Sequence, residues 1–301
     1  LSNEEQARWI GWQGAFYNVA KIAATGGLVY LSGIFITHFG VTRAWMFIML
    51  IIAAIMIIVG IYHYFILPST QKPASGNPIT LRQSLHELLE VFKDFFTKRH
   101  IIYYICFIIL YRFAEGFVMK IVPLFLKAPR TEQGLGLNEK EIGLCYGTFG
   151  AAAFVIGSIL AGYYIAWRGL QKSLFSLALV FNIPFIAYTL LAIYQPNSLW
   201  LIGTGITMEW FGYGFGFVGL SLFMMQQVAL GKHQMAHYAF ASGIMNLGVM
   251  LPGMLSGVFS DMLGYRQFFI FVLVCTIPAL LITWFVPFTY TDDTKKEKLE
   301  A

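Results

Sequence analysis

Eight stretches of about 20 residues each are apolar on every face, and a segment of that kind has few places to go. They run roughly 15–37, 44–66, 101–126, 143–166, 174–194, 199–228, 236–259 and 267–287, separated by short polar turns such as Gln195-Pro196-Asn197-Ser198. A bilayer core of about 30 Å is crossed by about 20 residues of helix, and no backbone group is tolerated unpaired inside it. The expected fold class is therefore all-α, a polytopic membrane helix bundle with eight transmembrane helices. A membrane β-barrel is excluded, because its strands alternate polar and apolar residues over about ten positions. Only 12% of the residues are charged and the mean hydropathy is +0.68, where a soluble domain carries about a quarter charged residues.

Basic residues in short loops stay on the cytoplasmic side. With the N-terminus inside, twelve Lys and Arg fall on the inner face, among them Arg8, Lys72, Arg99, Arg168, Lys172 and Lys232. Five fall outside (Arg43, Lys127, Arg130, Lys140 and Arg266), and Lys21, Arg112 and Lys120 lie within spans. The net charge of +5 is thus mostly an orientation signal, and nucleic-acid binding loses its support. Leu1 to Arg8 shows no charged n-region followed by an apolar h-region, so no signal peptide is visible there. Cys106, Cys145 and Cys275 are too sparse for a disulfide framework or a C-x-x-C metal site, and read as packing or lipid-facing residues.

An internal repeat divides the chain. Ser32-Gly33-Ile34-Phe35 and Gly40 align with Ser256-Gly257-Val258-Phe259 and Gly264 at an offset of 224 residues, with Arg43 and Arg266 following within a residue of register. Many transporters are built from duplicated halves. On that reading residues 1–66 are the last two helices of an N-terminal bundle, 67–100 a cytoplasmic connector, 101–287 a six-helix C-terminal bundle and 288–301 a cytoplasmic tail. About 120 residues, enough for four more helices, are then expected before Leu1, making this helices five to twelve of a twelve-helix protein. The connector begins with the breakers Pro68, Pro73, Gly76 and Pro78. Leu81, Leu85, Leu88, Phe92 and Phe95 then recur at spacings of four and three opposite Arg82, Glu87, Glu90, Lys93 and Asp94. That pattern predicts an amphipathic helix lying on the cytoplasmic headgroups.

An ionisable group inside a span costs several kcal/mol, so it marks a candidate site by default. Lys21, Arg112, Glu115, Lys120 and Glu209 qualify. Arg112 and Glu115 stand three apart on one helix, close enough to pair. Lys120 is nearer the outer surface and reads first as an interfacial snorkel. Burial disfavours a carboxylate while a neighbouring Arg favours it, and a membrane acid balanced between the two can exchange protons. Glu115 and Glu209 therefore suit proton coupling, or else each simply neutralises a partner.

Around Glu209 the run Gly212-Tyr213-Gly214-Phe215-Gly216-Phe217-Val218-Gly219 matches G-x-G-x-x-G literally, but the dinucleotide motif needs a strand before it and here it sits mid-span. Spacings of four, as in Gly212/Gly216, Gly143/Gly147 and Gly253/Gly257, instead predict close helix approach. Trp210, Phe211 and Tyr213 can stack on the apolar face of a sugar or another ring, or pack the core. Pro123, Pro184, Pro252 and Pro278 can kink their helices, with Pro252-Gly253 the expected hinge. His63, His100, His233 and His237 form no H-E-x-x-H pattern, and no nucleophile elbow or P-loop occurs, so no metal, cofactor or enzymatic activity is expected.

Several segments in order resemble the AmpG-type muropeptide permeases of the major facilitator superfamily over nearly the whole chain. Thr80-Leu81 with Gln83, Asp94-Phe95-Phe96 and Tyr111-Arg112 with Glu115 are similar to that family's connector and seventh helix. Gly136-Leu137 with Glu141-Ile142-Gly143 is similar to the approach to helix eight, and Glu209 with its spaced glycines to helix ten. Ser242, Gly248, Gly257, Asp261, Gly264 and Tyr265 follow the pattern of helix eleven. Glu115 stands where an Asp is expected, and Val249 where the family has a basic residue. The resemblance implies two bundles, alternating access and proton-driven import of anhydromuropeptides across the bacterial inner membrane for cell-wall recycling. The expected partners are a muropeptide-like small molecule, protons and the lipid bilayer, for a monomeric multi-pass protein. Glu115, Arg112 and Glu209 are the expected proton-coupling residues, and Lys21, Tyr111, Trp210, Tyr213 and Asn246 the substrate contacts. The rivals are a major facilitator carrier of another small solute and a non-transporting membrane scaffold.

Overall fold

The computed structural model describes residues 2–22, 24, 28–67 and 81–290. Connector residues 68–80 with their prolines, the tail from 291 onward and the side chains of Lys21, Leu81 and Arg82 lie outside the described residues. Described segments are helical, with no strand among them: α1 Asn3–Ile22, α2 Val29–Phe39, α3 Val41–Ile66, α4 Leu81–Thr97, α5 Ile101–Tyr111, α6 Phe113–Lys127, α7 Glu139–Ile142, α8 Ala151–Arg168, α9 Leu170–Asn182, α10 Phe185–Tyr194, α11 Leu199–Phe223 and α12 Gln234–Trp284. Two π-helical turns, Gly143–Gly150 and Met224–Val228, precede α8 and follow α11. By length and composition, four stretches among the described residues can cross a membrane: Val41–Ile66, Gly143–Arg168, Leu170–Tyr194 and Gln234–Trp284. The last has 51 residues, roughly 76 Å of helix and so enough for two crossings.

Local chemistry sets several helix starts. Ser2 and Glu5 exchange bonds (Ser2 N–H to Glu5 Oε2 2.8 Å, Glu5 N–H to Ser2 Oγ 3.2 Å) at the head of α1. Asn138 and Glu141 do the same at the head of α7 (2.9 and 3.0 Å). Each is a capping box that meets backbone donors a helix end leaves open.

Two compact units form, Leu1–Val19 with Leu89–Ala301, and Ala20–Leu88. In the second, α2 and α3 meet at Gly40, and Phe39 packs edge-on against Phe47 at 5.3 Å. Gly40 has φ 79° and ψ 164°; Gly264, its counterpart at the offset of 224, has φ 70° and ψ 160°. This region of backbone space is essentially closed to residues with a Cβ, so both repeats need glycine at the corner.

The larger unit is built on two apolar clusters. One gathers Tyr104, Phe107, Tyr111, Phe181 and Phe223, the other Phe117, Phe125, Tyr188, Phe268 and Phe269. Lipid is as apolar as a side chain, so close van der Waals fit holds such helices together. Glycines provide that fit selectively. A Cβ at Gly214 would run into Phe154 O of α8, one at Gly212 into Val180 O of α9, and one at Gly216 into the Phe181 side chain. Gly116 of α6 likewise lies against Pro252 and Val249 O of α12. Gly143, Gly147 and Gly257, also expected to be close-approach sites, would meet nothing within 4 Å.

Two expectations about helix continuity are corrected. Span 101–126 is not one helix, because Arg112 leaves helical geometry at φ −107° and ψ 7° and separates α5 from α6. Span 15–37 takes in residues of α1 and α2, and residues 23 and 25–27 between them lie outside the described residues. The backbone stays helical through Pro252-Gly253, and the break in α12 falls at Gly264; Gly116 opposite leaves room for the proline ring, so packing rather than bending accommodates it.

Near the C-terminus of α4, Phe95 is buried and packs edge-on to Phe240 at 5.5 Å. The Lys98 ammonium donates to Val228 O at 2.7 Å and Leu230 O at 2.8 Å. Burial pulls this ammonium below the usual lysine range, while Asp94 opposes the shift. The end of the connector helix is thereby tied to the turn after α11, whereas Leu85, Leu88 and Phe92 stay exposed.

Candidate functional site

Breaking the helix at Arg112 places a guanidinium where the two apolar clusters meet. Its Nε donates to Glu115 Oε2 and its Nη2 to Glu115 Oε1, both at 2.6 Å, a two-point pair with side chains 6% and 2% exposed. The geometry is the strong, fork-like kind. The guanidinium also lies 5.8 Å from the Tyr213 ring centre and 5.4 Å from that of Phe217, and reaches the Tyr213 hydroxyl at 3.4 Å. Aromatic faces stabilise a cation that water no longer covers. Both rings come from α11, which the glycine contacts press against α8 and α9.

Glu209, also on α11, is buried and accepts a hydrogen bond from the Tyr188 hydroxyl of α10 at 3.1 Å. The next residue, Trp210, stands edge-to-face with Tyr146 of the first π turn, centroids 4.9 Å apart at 89°. Tyr213 packs on Phe154 of α8 at 5.0 Å. Arg112, Glu115, Trp210 and Tyr213 thus share one aromatic and ionic cluster, with Glu209 at its edge.

Other expected contacts are placed elsewhere. Tyr111 is fully buried and donates to Gly216 O at 3.0 Å, so in this conformation it ties α5 to α11 and no face is left for a ligand. Asn246 is exposed on α12, and no hydrogen bond among the described residues joins it to the cluster. Lys120 is exposed, as a snorkelling residue is. Tyr146, Tyr188 and Phe217 are members that sequence reasoning missed. Single aromatics in apolar runs carry no signal of their own in a chain with 17% aromatic residues.

A bundle of apolar helices that encloses an ion pair among aromatic rings defines a polytopic membrane protein with a buried polar site. The chain belongs to the Major Facilitator Superfamily, whose profile matches residues 1–239. It is 24% identical over 267 residues to AmpG 1 of Rickettsia bellii, covering 88% of this chain and 62% of that protein. To AmpG 2 of Rickettsia prowazekii it is 27% identical over 209 residues, 67% of this chain and 47% of that protein. The anhydromuropeptide permease of Escherichia coli is 24% identical over 208 residues, 68% of this chain and 40% of the permease. The chain therefore spans less than two thirds of the length of these relatives. Their names bear out the resemblance to AmpG-type permeases.

Proposed function

We propose that the chain is part of a proton-coupled secondary transporter that imports anhydromuropeptides across a bacterial inner membrane for cell-wall recycling. The observation that carries this reading is the buried Arg112–Glu115 pair beneath Tyr213 and Phe217. Protonating Glu115 removes the partner of Arg112 and leaves a guanidinium, still held over two rings, to receive a carboxylate of the substrate's peptide. Losing that substrate lets Glu115 ionise and close the pair again, so the Glu115 carboxylate and the substrate carboxylate alternate on one cation, and proton and substrate are bound together. Glu209 serves as a second acid, while Trp210 and Tyr213 offer ring surface to the sugar, and Lys21 and Asn246 are further substrate contacts. Eight crossings follow if α12 supplies two, one on each side of Gly264, with residues 1–66 as the last two helices of an N-terminal bundle and 101–287 as a six-helix C-terminal bundle. The names of the relatives supply the muropeptide, and the Glu115 carboxyl supplies the proton.

Uptake of labelled anhydromuropeptide into vesicles under an imposed proton gradient tests it. Glu115→Gln is expected to abolish gradient-driven uptake. Unchanged uptake overturns the coupling role. Wild-type uptake of another solute but no muropeptide leaves a major facilitator carrier of different specificity.

A further inference from the structure

Tyr146 is the part of the aromatic corner that neither the charges nor the sequence pattern singles out. It sits in the π-helical turn Gly143–Gly150, a rare conformation that recurs at functional sites. Two of its glycines, Gly143 and Gly147, face open space, so close packing does not account for them. Gly150 is different, since a Cβ there would lie 2.9 Å from Cδ1 and 3.1 Å from Nε1 of Trp210. The Trp210 Nε1 beneath it is buried and has no acceptor among the described residues. An unmet buried donor costs free energy, which an incoming acceptor recovers. Both Tyr146 and Trp210 nevertheless remain partly exposed, their rings perpendicular at 4.9 Å.

We infer that Tyr146 is a specificity-determining residue, which with Trp210 forms a two-ring corner for the sugar of the substrate. A sugar ring presents an apolar C–H face, which aromatic surface accepts, and oxygen acceptors at its rim, one of which takes the Trp210 N–H as the π turn shifts off the indole. The site then divides its labour, with the neutral sugar at Tyr146 and Trp210 and the anionic peptide at Arg112. This inference rests on the reading of the substrate as a sugar joined to a peptide.

Binding to the reconstituted protein, followed by isothermal titration, tests it with two probes: an anhydromuropeptide and its free peptide without the sugar. Tyr146→Ala is expected to weaken the sugar-bearing probe about tenfold, the size of one aromatic contact, while leaving the free peptide unchanged, which also shows that the variant folds. Tyr146→Phe keeps the ring and should keep wild-type preference. If Tyr146→Ala preserves the ratio between the two probes, or weakens both alike, the inference falls while the transport reading stands. Wild-type protein that binds neither probe overturns both.

Discussion

Glu115 and Glu209 are acids buried in one compact unit, on different helices, and they are held by different means. Glu115 has both oxygens on Arg112, three residues before it on the same stretch of chain. Glu209 receives a neutral hydroxyl from Tyr188, 21 residues away on another helix. Losing a proton has opposite consequences at the two. At Glu115 it completes an ion pair, and at Glu209 it adds a charge beside a neutral donor. One acid is paired with a charge from its own stretch of chain, the other with a neutral donor from a neighbouring helix.

The sharpest way to break this comparison is to remove the cation. Arg112→Ala leaves a buried carboxylate alone and should cost about 3–5 kcal/mol, read as lowered thermal stability in detergent. Adding Glu115→Gln should restore much of the loss, since no uncompensated charge then remains. A double variant no more stable than Arg112→Ala would mean that the two do not act as a pair.

Tyr188→Phe probes the other acid. It keeps the ring stacked at 5.7 Å on Phe269 and removes only the donor to Glu209, for an expected loss of about 1–3 kcal/mol. Glu209→Gln is expected to matter least for stability, within about 1 kcal/mol, because the amide oxygen still accepts from Tyr188. A loss at Glu209→Gln as large as at Arg112→Ala would show that Glu209 has an ionic partner and erase the contrast.

Legibility followed distance along the chain. The Arg112–Glu115 contact is an i, i+3 relation that helix geometry nearly imposes. The corner at Gly264 was marked by its repeat with Gly40, since a backbone conformation open only to glycine leaves its trace in sequence. The spacing of four predicted tight approach for Gly212 and Gly216, where neighbouring chains do press in, and equally for Gly143, Gly147 and Gly257, where nothing does. Small residues record that contact is allowed, not that a partner is there.

By itself, the sequence determined that the chain is a helical membrane bundle, where its main polar turns fall, and that Arg112, Glu115 and Glu209 were among the charges to look for inside it, because burying a charge or an unpaired backbone group in hydrocarbon costs too much to occur without cause. Only the tertiary structure decided that helix 101–126 breaks at Arg112, that Glu209 meets Tyr188, and that Tyr146 meets Trp210. The physical reason is that lipid and protein core are equally apolar. A residue facing the bundle and one facing the bilayer look alike in sequence, and only the packing of one helix on another tells them apart.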